Sequence, residues 1–190
     1  MFILKKKYFL IIESIKDIDL RNIKKYNKFL IIYRSTPIKD DINDLKKFRK
    51  ECKQKFIKFY VANDMKLSVL LNSDGIYLSS FNKTFKSLNL KKFNFSIIGS
   101  AHNLNEIDLK IKQGCSYILL SKLLKVDYDI KSPFLGVLKF NQYLNNIYSK
   151  LVPLGGIKSS NLNYLKNINC DAFAILSEVK KKPAILSRLF

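Results

Sequence analysis

The chain has 190 residues, 47% of them hydrophobic, which is enough apolar material for one full core and excludes a disordered or low-complexity protein, so 1–190 reads as a single domain. Lys and Arg number 35 against 15 Asp and Glu, a formal net charge of +20. The charge falls in short clusters (Lys5-Lys6-Lys7, Lys24-Lys25, Lys46-Lys47, Lys91-Lys92, Lys180-Lys181-Lys182), the pattern of a solvated surface, so a nucleic-acid partner is not expected.

The first apolar run, 7–13 (KYFLIIE), reads as a strand, and its core is too short for a signal or membrane segment. A charged helical stretch, 15–25, separates it from a second strand at 27–35 (NKFLIIYRS). After Pro37, apolar residues at Ile42, Leu45 and Phe48 predict a helix over 40–53, and 56–62 (FIKFYVA) is a third strand. The alternation continues with helix 65–71, strand 75–79, a short helix 83–90, strand 95–100 and helix 104–113 ending at Gly114. Strand 117–120 leads into a long, less regular connection, 122–136, which reads as a functional loop. Helix 137–149, strand 151–157 (LVPLGGI), helix 160–166, strand 172–176 and a final helix 178–188 complete the chain. Cys52, Cys115 and Cys170 are odd in number and far apart, with neither metal spacing nor a disulfide framework, which fits a reduced, cytoplasmic setting.

Most of the eight apolar runs show little apolar and polar alternation, as strands do when both faces are buried. Eight strand-helix units predict an α/β fold, the (βα)8 TIM barrel, with a doubly wound sheet as the other architecture that such alternation allows. In a barrel, ligands bind where strands end, and here the strand ends supply Arg34, Asn63-Asp64, Ser79-Ser80, Ser100 with His102, Ser121-Lys122, Gly155-Gly156 and Ser177. Gly155-Gly156 allows close backbone approach, and Ser160 or Asn161 can cap the next helix. That is the pattern of a phosphate seat, although a plain strand-to-helix turn has the same sequence.

The succession IIYR (31–34), VAND (61–64), DGIYL (74–78), GSAH (99–102), GCSYILL (114–120), PLGGI (153–157) and CDAFAILSEV (170–179) resembles the thiamine-phosphate synthase and TenI family of TIM barrels over nearly the whole chain. The resemblance implies a role in thiamine biosynthesis. The synthases join an aminopyrimidine methyl pyrophosphate to a thiazole phosphate and release pyrophosphate. It further implies that Gly155, Gly156, Leu176 and Ser177 hold thiazole phosphate or thiamine phosphate, that Arg34, Asn63 and Ser100 contact substrate, and that Asp64, with Asn82 in the place of a second Asp, binds Mg²⁺. Departures from the family pattern fall at Ile32 and Thr36 beside Arg34, at Asn82, and at Val126, Tyr128 and Asp129 in the loop that would hold phosphate. They remove hydroxyl donors and a cation, which predicts weakened anion binding. In the TenI branch, which tautomerises a thiazole carboxylate phosphate, a His stands where this chain has Lys122, so Lys122 is the candidate general base of an isomerase. A barrel that kept the phosphate seat and lost the reaction, as a sensor, carrier or subunit, is the non-enzymatic alternative, and self-association into a homo-oligomer is compatible with either.

Overall fold

The computed structural model describes residues 7–23, 26–127, 131–147, 150–158 and 160–176. All eight apolar runs form strands: β1 (Lys7–Ile12), β2 (Phe29–Tyr33), β3 (Lys58–Ala62), β4 (Gly75–Leu78), β5 (Ser96–Ala101), β6 (Tyr117–Leu120), β7 (Leu151–Pro153) and β8 (Ala172–Ile175). They pair in parallel in the order β7-β6-β5-β4-β3-β2-β1-β8, and a bridge between Leu154 and Ala174 brings the two ends of the sheet together. The fold is the TIM barrel, and the doubly wound sheet is excluded.

Side chains alternate across each strand, so every run feeds two cores. Phe9, Ile11, Ile32, Tyr77, Ile98 and Leu119 belong to one cluster, which fills the barrel. Their neighbours Tyr8, Leu10, Ile12, Ile31, Ile76 and Ile118 belong to the larger cluster between sheet and outer layer. With both faces of each strand buried, no polar alternation survives in the sequence. Two residues past the last inward apolar position the strand leaves the core, and there Arg34, Ser79, Ser100 and Ser121 line the mouth.

The described α-helices are α1 (Ile42–Gln54), α2 (Met65–Leu70), α3 (Leu104–Lys112) and α4 (Gly136–Asn146). Helix α1 starts where the Asp41 side chain accepts from the Asn43 and Asp44 amides, and it buries Leu45, Phe48 and Cys52 on one face. Phe48 meets Phe59 of β3 edge-on at 5.9 Å between ring centroids. Each such side chain removed from water contributes about 1.5–3 kcal/mol.

Three predicted helices are not α-helices. The described part of 15–25 forms two 3-10 turns, Ile15–Asp17 and Leu20–Asn22, because Ser14, Asp17 and Asp19 bond backbone amides and compete with the helical ladder. The 83–90 stretch becomes a 3-10 segment displaced to Lys86–Phe93, since the Asn82 side-chain oxygen Oδ1 takes the Thr84 amide and holds the chain in a turn. The 160–166 stretch becomes a 3-10 segment at Leu162–Asn167. The ends of several predicted strands also lie outside the sheet: Asn27 and Lys28 belong to a 3-10 turn, Tyr26–Lys28, Phe56 sits in a turn with φ 54°, and the chain leaves β7 after Pro153. The final helix, 178–188, lies outside the described residues.

Candidate functional site

Two depressions share the carboxyl-end mouth of the barrel. The larger, about 450 Å³, has Arg34, Asn63, Tyr77, Ser79 and Ser100 in its wall. The smaller, about 160 Å³, is walled by Lys122, Val126, Gly155, Gly156 and Leu176. Arg34, His102, Ser121 and Leu154 line both, so the two chambers adjoin.

Arg34 leaves β2 with its amide bonded to the Ile12 carbonyl at 2.8 Å, which ties it to the end of β1 at the barrel mouth. Asn63 comes after β3 in the left-handed region, φ 58°, a conformation Asn tolerates better than most residues. Its Oδ1 accepts from the Ser79 amide at 3.0 Å and from Asn82 Nδ2 at 3.1 Å, while its Nδ2 donates to Ser79 Oγ at 2.6 Å. Asn63 is therefore a joint between the ends of β3 and β4 as well as a wall residue. Ser100 is buried on β5 beside Tyr77, whose phenol is pushed above its ordinary value by burial, an effect partly offset by Ser100 and by the charge of Arg34. His102 Nδ1 lies 2.9 Å from Ser121 Oγ, which ties the end of β5 to that of β6.

The Gly-Gly turn is built by its neighbour. Gly155 and Gly156 have φ 94° and 70°, and a Cβ on Gly156 would lie 2.5 Å from the Leu124 carbonyl oxygen and 2.6 Å from that of Lys125. Residues 123–125 fold onto this turn, with the Leu123 amide on the Leu154 carbonyl at 2.8 Å and the Leu124 amide on that of Gly155 at 3.1 Å. The close backbone approach expected for a ligand is thus made, on the Gly156 side, by the protein itself. The helix-dipole part of the predicted seat is also corrected. Asn161 gives no side-chain cap to the 3-10 segment after it; its Oδ1 takes the Lys158 amide and its Nδ2 donates back to the Gly156 carbonyl. The result is a small chamber with backbone on one wall and Lys122, Arg34 and His102 on the others. The Lys122 ammonium donates to Ser132 Oγ at 2.5 Å.

Asp64 and Asn82 line neither chamber. Asp64 Oδ1 caps α2 through the Leu67 amide at 2.9 Å, and the Asn82 side chain is divided between Asn63 and Thr84. Among the described residues no group of three His, Cys, Asp or Glu side chains comes together as a metal site. A carboxylate committed to a helix cap and a neutral amide committed to two loops fit Mg²⁺ poorly, since that ion takes carboxylate oxygens in near-octahedral geometry. Ser177, Tyr128 and Asp129 lie outside the described residues.

Sequence reasoning missed Glu13, Lys39, Tyr77 and Phe81 in the larger chamber. Glu13 and Tyr77 carried a signal: the first apolar run ends in Glu, and Tyr77 stands two residues before Ser79, on the same strand face. Lys39, 3.7 Å from Glu13, and Phe81 come from loops and carried none.

No described helix is long and apolar enough to cross a membrane. The thiamine-phosphate synthase of Prochlorococcus marinus (strain AS9601) is 28% identical over 142 residues, 74% of this chain and 40% of that protein. This chain therefore spans well under half of that relative. The thiamine-phosphate synthase of Dictyoglomus turgidum is 24% identical over 182 residues, 91% of this chain and 80% of that protein. Among solved structures, thiamine phosphate pyrophosphorylase from Pyrococcus furiosus matches with a TM-score of 0.67 over 98% of both chains at 15% identity. The 3-keto-L-gulonate-6-phosphate decarboxylase from Vibrio cholerae matches with 0.64 over 97% of both at 12% identity, so these likenesses speak for the barrel alone. A family model, described as thiamine monophosphate synthase, matches residues 22–179 and so takes in β2 through β8: the chain belongs to the TMP-TENI family.

Proposed function

We propose that this protein serves thiamine biosynthesis by binding thiazole phosphate or thiamine phosphate across the two chambers of the barrel mouth. The observation that carries the reading is the smaller chamber, where Gly155, Gly156 and Leu176 face Lys122 and Arg34. Two cations and a glycine backbone, closed in by buried Val126, are suited to a phosphate group, because charge-assisted contacts strengthen as water is excluded. The heterocycle then lies in the larger chamber against Tyr77, Ser100 and Asn63.

As a synthase-type transferase, the site would form a bond from the thiazole nitrogen to the pyrimidine methylene as the bond to pyrophosphate breaks. Arg34, shared by both chambers, is the group placed to stabilise the departing anion. The commitment of Asp64 and Asn82 to the cap and loops favours a second reading, a barrel that binds the ligand without turning it over. A TenI-like isomerase would use Lys122, in the wall of the smaller chamber, as its base.

Calorimetric titration with thiazole phosphate and thiamine phosphate, with and without Mg²⁺, tests the binding. Assays of pyrophosphate release and of thiazole tautomerisation then separate the readings. Binding with release makes the protein a transferase. Tautomerisation that disappears in Lys122→Met makes it an isomerase, and binding alone makes it a sensor, carrier or subunit. Failure to bind either phosphate overturns the proposal.

A further inference from the structure

Lysine is the commonest charged residue of this chain, and nearly every described one meets solvent; Lys110, in the last turn of α3, is fully buried. Its stem runs over Gly99 of β5. A Cβ at that glycine would lie 2.7 Å from Lys110 Cδ and 2.9 Å from Cys115 Sγ, so the bare backbone at 99 is what admits the side chain. The ammonium donates to the Ser79 carbonyl at 2.8 Å, the Asn82 carbonyl at 2.8 Å and Gln113 Oε1 at 2.9 Å. Gln113, also fully buried, in turn donates through Nε2 to the Asn82 carbonyl at 3.0 Å and the Thr84 carbonyl at 2.8 Å. Every acceptor is a neutral oxygen. A buried cation held this way costs desolvation that the Glu106 charge offsets only in part, and an apolar side chain of the same length would fill the space more cheaply.

The carbonyls it holds belong to one segment. Ser79, Ser80 and Phe81 form part of the larger chamber's wall, and Asn82 donates from its side chain to Asn63 Oδ1, which also takes the Ser79 amide. We propose that Lys110 is a positioning residue. Acting with Gln113, it fixes the backbone of the 79–84 segment and, through Asn82, the orientation of Asn63 in the barrel mouth. Three carbonyls that would otherwise turn to water are held inward, so the segment keeps one shape. Neither residue touches the chamber, and the effect reaches a ligand only through the segment.

The test uses Lys110→Met, which keeps the stem and removes the donors, with Lys110→Gln restoring two of them. Gln113→Leu is the companion variant should Lys110→Met fail to fold. Amide hydrogen exchange is followed along the chain, and thiamine phosphate is titrated against each variant. Exchange of the 79–84 amides should rise about tenfold or more in Lys110→Met and in Gln113→Leu, while β5 amides keep their protection and Lys110→Gln recovers part of the difference. Affinity for thiamine phosphate should fall in the same order. Unchanged exchange at 79–84 in a folded variant overturns the inference, and so does a uniform rise across the whole chain. If wild-type protein binds no thiamine phosphate, the proposed ligand is wrong, and the exchange measurement decides the role of Lys110 alone.

Discussion

Substituting Gly156 by Ala asks whether the Gly-Gly turn is glycine for its own loop. Two costs add at this position. An L side chain at φ 70° enters the left-handed region, about 1–2 kcal/mol, and the new Cβ would stand 2.5 to 2.6 Å from backbone atoms of Leu124 and Lys125, an overpacking cost of about 1–3 kcal/mol. Gly136 supplies the control. It has φ 76°, yet a Cβ there meets nothing within 4 Å, so Gly136→Ala carries the first cost alone. Both substitutions also stiffen the unfolded chain by a similar amount, about 0.4–1 kcal/mol, which cancels between them. Urea denaturation of the two variants should therefore differ by about 1–3 kcal/mol, a large share of a domain stability of about 5–15 kcal/mol. Equal losses would refute the packing of Leu124 and Lys125 onto the turn.

Arg34→Met removes the one cation shared by both chambers and should weaken binding of thiamine phosphate about 10–100-fold by calorimetry; a change under about threefold would take Arg34 out of the site. Asp64→Ala should cost about 1 kcal/mol of stability as a lost N-cap, by the same amount with and without Mg²⁺ in the urea titration; a loss that appears only with Mg²⁺ would return Asp64 to a metal site. The Cys52 thiol, on the buried face of α1, is pushed from 9.0 up to about 12 by desolvation. Its folded value lies above the unfolded one, so the native chain keeps a proton that the unfolded chain releases. The stability this contributes is intact below the ordinary thiol value and lost as pH rises through it toward the folded one. Urea midpoints across that range should fall less steeply for Cys52→Ala than for wild type, and parallel slopes would show that the thiol is not protected.

The strands were legible because a segment buried on both faces leaves a continuous apolar run, and runs such as FLIIY and YILL have few other readings. The mouth residues Arg34, Asn63 and Ser100 were legible for a related reason, since the first polar side chain after such a run stands where the strand leaves the core. The helical layer was less so. Around Ser14, Asp19 and Asn82 the competition between side-chain and helical hydrogen bonds was settled by which amide each oxygen reached, and that is a matter of three-dimensional placement.

By itself, the sequence determined the eight strands and the family, and through the family the barrel, because these are set by local burial and by motifs kept in register along the chain. Only the tertiary structure decided what the polar residues do. Gly156 meets a loop that lies some thirty residues away in the chain, Asp64 spends an oxygen on α2, and Lys110, one lysine among many on paper, is buried because Gly99 on the facing strand has no side chain. Each of these outcomes depends on a partner distant in sequence or on a choice among equivalent hydrogen-bond donors, and no pattern of residue types along one segment carries that information.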